Sequence, residues 1–172
     1  MDNFFIEISD PGNPDMHAFM FCSEAIIKEN KDQRRHVTRL YISDGVVYGT
    51  NGKSARKALL GNDYQNGFYR VLRKDKDDVI LYFDGNGDAP DFSKMLNTDG
   101  ISALGEVTIE DDFFPAHAVI THLTNVVFRA EILKKAVGTY HIFKKENMVV
   151  LDDGANAMAI APIQTQTTIP GV

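Results

Sequence analysis

The chain predicts an α+β fold with antiparallel sheets, made of two βαβββ-type halves whose two helices pack on one face. Three observations carry this. The β-rich runs are joined by turns too short for a parallel crossover, Asp44-Gly45 and Asp152-Asp153-Gly154 among them. Helical spacing of apolar residues is confined to two stretches, 14 to 29 and 130 to 137. The order of elements also repeats: strand, helix, hairpin and hairpin in front, then strand, helix and three strands behind.

Taken in order, Phe4-Phe5-Ile6-Glu7-Ile8 reads as a strand closed by the turn formers Ser9-Asp10-Pro11-Gly12. Asn13 is an N-cap and Pro14 a first helical residue, and Met16, Phe19, Met20, Ile26 and Ile27 recur on one face of a helix over 14 to 29. Residues 37 to 50 read as a hairpin turning at Asp44-Gly45. Residues 68 to 72 and 79 to 83 form a second hairpin around a charged turn. The stretch 84 to 118 is expected to be an elaboration, with a loop at 84 to 91 and a short helix at 92 to 96. Regular patterning resumes with a strand at 118 to 123, a second apolar run at 126 to 128, and a helix over 130 to 137 stopped by Gly138. Strands at 140 to 144, 148 to 151 and 157 to 161 complete the pattern, and the polar tail after Pro162 is expected to fray. The chain is expected to be one domain over 1 to 172, with duplicated halves at about 4 to 83 and 119 to 163.

Composition narrows the function. The 172 residues are 44% hydrophobic, enough for a core, and 18 Lys and Arg against 24 Asp and Glu give a net charge of -6. A generally basic nucleic-acid binder is excluded, so any such contact must be local. One cysteine, Cys22, permits no internal disulfide and favours a reducing compartment. With no signal-like start and no apolar run long enough for a bilayer, a cytoplasmic location without membrane association is expected.

The chemical motifs are weak. Asp84-Gly85-Asn86-Gly87-Asp88 has the alternating oxygens that open a calcium loop, but Ala89 stands at the sharp-turn glycine and Met95 at the bidentate glutamate. A solvated turn explains it. Glu110, Asp111, Asp112, His117 and His122 lack metal-ligand spacing, because the two histidines lie five apart. Cys22 falls on the apolar side of the first helix, where core packing is the expected role. No nucleophile elbow, phosphate loop or dinucleotide loop occurs, so no catalytic residue, metal or cofactor is expected.

The basic residues are distributed unevenly. Lys28, Lys31, Arg34 and Arg35 follow the first helix, and Lys134 and Lys135 lie on the second helix away from Ile132, Leu133, Ala136 and Val137. Cations gathered on one helical layer can track phosphates without reading sequence, although exposed helix faces carry Lys and Arg for solvation alone.

A family resemblance enters through three segments. In 37 to 55, Leu40-Tyr41-Ile42-Ser43 and Val46-Val47-Tyr48-Gly49-Thr50 flank Asp44-Gly45 and lead into Asn51-Gly52-Lys53-Ser54-Ala55. This resembles the hairpin of a bacterial replicative sliding clamp, the ring that tethers DNA polymerase to duplex DNA, with Asn51 where the clamp has an acidic residue. Val126-Val127-Phe128-Arg129-Ala130-Glu131-Ile132-Leu133-Lys134-Lys135-Ala136-Val137 resembles the clamp strand leading into its second helix. Ala157-Met158-Ala159-Ile160-Ala161-Pro162-Ile163 resembles the closing strand.

The resemblance implies a clamp-like fold and a non-enzymatic role in DNA replication or processivity, in a phage, plasmid or other mobile element. Weak, sequence-independent duplex contacts would come from Lys28, Lys31, Arg34, Arg35, Lys134 and Lys135. A bacterial clamp chain has three such domains and closes a six-domain ring as a dimer, so six copies of this chain would make an equivalent homo-oligomer. Replication proteins are the other implied partners. The rival readings are a protein-interaction module on the same fold without DNA binding, and an enzyme or metal-dependent protein using the acidic loops and His117.

Overall fold

The computed structural model describes residues 4 to 28 and 35 to 163. Its elements are β1 Phe5–Ile8, α1 Pro14–Ser23, α2 Arg35–Thr38, β2 Leu40–Ser43, β3 Val46–Thr50, β4 Ser54–Leu59, β5 Gly67–Lys74 and β6 Val79–Phe83. There follow α3 Phe92–Leu96, β7 Gly105–Ile109, α4 Phe114–Thr124, a 3-10 turn Ala130–Leu133, β8 Gly138–Lys145, β9 Met148–Asp152 and β10 Asn156–Ile160. All ten strands belong to one sheet in the order β1-β6-β5-β2-β3-β4-β10-β9-β8-β7, and every neighbouring pair is antiparallel. The series strand, helix, three strands occurs twice, as β1-α1-β2-β3-β4, with α2 between α1 and β2, and as β7-α4-β8-β9-β10.

Side-chain alternation divides the strands into two faces. Leu40, Ile42, Val47, Ala58, Ile142, Leu151 and Met158 share one buried core with Met16, Phe19 and Cys22 of α1 and with Ala116 and Ile120 of α4. Both long helices therefore pack on the same face, the arrangement the sequence predicts, with α4 standing in place of the helix expected over 130 to 137. On the other face, Ala55, Val150, Ala157 and Ala159 lie under Phe92 and Leu96 of α3, and Phe92 stacks on Tyr48 at 4.6 Å between ring centres. Small residues in β4 and β10 leave room for α3 to lie close against the sheet.

Local chemistry accounts for several elements. Asp44 and Gly45 both adopt left-handed backbone, φ 50° and 79°, the two-residue turn whose twist matches a hairpin. Asn13 Oδ1 accepts from the Asp15 N–H at 2.8 Å and caps α1, with Pro14 in its first turn. Gly49 of β3 sets the distance of α1 from the sheet, since a Cβ there would stand 2.4 Å from the Cys22 carbonyl oxygen.

Several expectations are corrected. The first helix ends at Ser23 rather than near 29, because the chain beyond it is drawn toward α2, where the Ile27 N–H donates to the Val37 carbonyl at 2.8 Å. Val37 and Thr38 are helical, and the strand starts at Leu40. The strand expected at 118 to 123 is the body of α4, with buried Ala116, Ile120 and Thr124 spaced four apart. The helix expected over 130 to 137 is a four-residue 3-10 turn, and Gly138 opens β8 instead of ending a helix. Within 84 to 118 the short helix stands where expected, but β7 and the start of α4 also lie there as working parts of the sheet and its core.

Two buried polar groups tie the layers together. Arg56, opposite Met158 in the β4–β10 pair, donates to the carbonyls of Phe21 at 3.0 Å, Ile132 at 2.6 Å and Lys134 at 3.0 Å, and lies over the Phe21 ring. Asp15 accepts from the backbone N–H groups of Gly61 and Asn62, the Asn62 amide and the Tyr64 hydroxyl, fastening α1 to the loop between β4 and β5. Burial alone would raise the Asp15 pKa, but these four hydrogen bonds outweigh it and hold the carboxyl below its ordinary value.

Replacing Arg56 with Met leaves three carbonyls without their donor and is expected to cost about 3 kcal/mol, read as a lower urea midpoint, with Arg56→Lys intermediate. An unchanged midpoint would remove Arg56 from this role. For Asp15 the depressed pKa means that its stabilisation is complete above the unfolded value of about 4 and is lost as pH falls through the lower folded value. Asp15→Asn should therefore cost about 2 kcal/mol at pH 7, and the gap from wild type should narrow below about pH 4 in acid-unfolding curves.

Candidate nucleic-acid interface

A clamp-type interface needs cations on the helix-bearing face, and the structure places them differently from the sequence reading. Neither long helix contains Lys or Arg. Within α1 only Pro14 and His17 are exposed, the rest being buried or half-buried between the sheet and its loops. The outward side of α4 consists of Phe114, Pro115, Ala118, Val119, His122 and Leu123.

The cations instead reach the α1 side on loops. Lys28, exposed beyond the end of α1, borders a groove with Ser23 and with Lys74 of β5. Lys134 follows the 3-10 turn and lines a hollow with Glu24, Arg56 and Arg129. Lys135, in left-handed backbone at φ 60°, lines a hollow of about 300 Å³ with His17, Met20 and Lys76. Three of the six expected residues thus border α1.

Arg35 does not join them. Its guanidinium donates to the carbonyls of Asp84 and Asn86 and lies 4.6 Å from the centre of the Phe68 ring, fastening the 84 to 87 loop to β5. Lys31 and Arg34 lie outside the described residues.

Lys74, Lys76 and Arg129, which the sequence reading passed over, border the same hollows. Lys76 sits in the charged turn between β5 and β6, whose solubilising composition hid its position beside α1. Two acids interrupt the cations: Glu24, paired with Lys74 at 3.4 Å, and Glu131.

The other candidates resolve into structural roles. Asp84 accepts from Arg39 Nε at 2.8 Å, so the first carboxylate of the calcium-like stretch serves a partly buried ion pair. His117 Nε2 lies 2.7 Å from the Phe128 carbonyl oxygen, with its ring edge-on to Phe128. His122 lies on the exposed side of the same helix. Cys22 is fully buried, its thiol donates to the Val47 carbonyl at 3.4 Å, and burial pushes its pKa up, away from thiolate reactivity. Among the described residues no three His, Cys, Asp or Glu side chains gather as metal ligands, and no helix is long and apolar enough to cross a membrane.

No protein-family model matches the chain, and no curated protein matches it by sequence. Solved structures do. The Helicobacter pylori beta clamp bound to a DNA ligase peptide superimposes with a TM-score of 0.57 at 12% identity, covering 96% of this chain and 67% of the clamp. The DNA polymerase III beta chain of Streptococcus pneumoniae gives 0.56 at 8% identity over 96% and 66%. The beta subunit of Pseudomonas aeruginosa gives 0.52 at 9% identity over 94% and 67%. The matches span about two thirds of each clamp, and at these identities they establish architecture: the chain has the fold of the bacterial DNA polymerase III beta sliding clamps.

Proposed function

We propose that this protein is a non-enzymatic, clamp-type factor of DNA replication that holds duplex DNA weakly and without sequence preference. One observation carries the reading: on the clamp fold, segments from three separate parts of the chain bring Lys28, Lys74, Lys76 and Lys135 beside α1, and Arg129 and Lys134 beside the Glu24 cap at its end. Lysine and arginine over a phosphate backbone supply affinity through counterion release and carry no base readout. Lys31 and Arg34, near Lys28 in sequence, belong to the proposed set. Arg35 contributes by anchoring the loop beside it.

The net charge of -6 opposes tight binding by one subunit. Retention therefore depends on several copies converging on one axis, which multiplies weak contacts through effective concentration. We read the chain as a single clamp-like unit in which β1-α1-β2-β3-β4 and β7-α4-β8-β9-β10 are related halves, with the β5–β6 hairpin as an elaboration of the first.

A second reading has its own support. The outward side of α4 carries no Lys, Arg, Asp or Glu, and Phe114 is 59% exposed, which suits a protein partner better than phosphates. On that reading the fold serves protein interaction and DNA is absent.

Gel shift and sedimentation with duplex DNA at low and moderate salt separate the two. Binding that weakens steeply with salt, shows no base preference, and loses about two units of log–log salt slope in the Lys134→Glu, Lys135→Glu double mutant is expected. No retention at low salt, or retention unaffected by the double mutant, would leave the interaction module as the better account.

A further inference from the structure

A groove of about 450 Å³ lies between the connector after α1 and strand β5. Its floor is aliphatic: Ile26 and Ile27 on one side, Val71 and Leu72 on the other. Ile27 is 38% exposed and Leu72 is 51% exposed. Leu72 falls where the β5–β6 register slips between Val71 and Arg73, the kind of bulge that re-aims a side chain.

The charge of the groove contrasts with the rest of the protein. Among the described residues, the charged ones lining it are the cations Lys28, Arg70, Arg73 and Lys74, in a chain that is acidic overall. Arg73 is paired with Asp75 and Asp78 and Lys74 with Glu24, carboxylates that do not themselves line the groove. The backbone matters as well. Strand β2 pairs with β5 only through Gly67, Phe68 and Tyr69, so along 71 to 74 no strand among the described residues covers the side of β5 away from β6.

From this combination we infer that the groove docks an extended acidic peptide of a partner protein through an aliphatic anchor. Main-chain groups of such a peptide would extend the sheet along the uncovered edge of β5. Its aliphatic side chains would fill the floor between Ile27 and Leu72, and its carboxylates would meet the rim cations. Nucleobases fit less well, since among the described residues no aromatic side chain lines the groove to stack on them. The groove shares Lys28 and Lys74 with the proposed duplex contacts, and Leu72, which has no charge to offer a phosphate, is the residue that tells the two apart.

Fluorescence anisotropy with a labelled synthetic heptapeptide, Asp-Asp-Leu-Val-Leu-Asp-Asp, tests the proposal on the full chain. Saturable binding is expected, weakened about tenfold by Leu72→Asp and by Leu72→Ser, and weakened by Lys28→Glu. Replacing the peptide's aspartates with lysines, or its apolar residues with serines, should abolish binding. Amide resonances over 71 to 74 should shift when the peptide is added, both Leu72 variants should keep the wild-type circular dichroism, and the uncharged Leu72→Ser should keep the wild-type duplex retention. Absence of saturable binding at millimolar peptide, equal binding of the lysine peptide, or indifference to both Leu72 substitutions would overturn the proposal.

Discussion

The pairing of β4 with β10 is the constraint on which the rest of the molecule depends. Among the described residues it is the only strand contact between the series β1 to β6 and the series β7 to β10, and five residue pairs, from Asn156 opposite Ala58 to Ile160 opposite Ser54, make it. Arg56 sits in the middle of this seam and reaches off the sheet to take carbonyls from α1 and from the 130 to 134 segment. Layer and seam are thus secured by one side chain. The same hydrogen bonds shape the chain after the 3-10 turn: with the Ile132 and Lys134 carbonyls accepting from Arg56, the Ala136 N–H turns to Leu133 instead, and a helix over 130 to 137 does not propagate.

That arrangement also decides where charge can be presented. Helix α1 is too deeply packed to offer a charged face, and Gly49 lets it sit close enough to the sheet to be so. Cations beside it must therefore come from loops, and they come from segments that meet only once the sheet is assembled. The two helices of the clamp-type layer are consequently unequal, one rimmed by Lys and Arg and the other presenting Phe114, Val119 and Leu123.

Legibility in the sequence followed how local each cause is. The β2–β3 hairpin was readable because Asp44-Gly45 is sufficient for its turn, and the start of α1 because Asn13 and Pro14 act within their own residues. Strand β4 was not readable: Ala55, Lys57, Ala58 and Leu59 favour helix, and the segment is extended because β3 and β10 flank it on both sides. Val119-Ile120-Thr121 suggested a strand through β-branching, while the spacing of four between Ala116, Ile120 and Thr124 was the better guide. Of the interface, Lys28, Lys134 and Lys135 were visible as local clusters. Lys76 and Arg129 were not, because only the tertiary fold brings Lys76 beside α1 and Arg129 beside Glu24 at its end.

The connector across the far face, with α3 at its centre, leaves β6 near one end of the sheet and enters β7 at the other. Arg56 and Met158, which face each other across the seam, are therefore about 100 residues apart along the chain, so the seam is a contact of high sequence separation while the hairpins on either side of it are local. Assembly order follows from this asymmetry. The hairpins can form early, but the seam must wait for the connector to be traversed, and until it closes β4 and β10 stand as bare strand edges. Phe92 and Leu96, which settle on the small residues of exactly those two strands, act as a latch on the closed form, so the segment that delays closure is also the one that makes it difficult to reverse.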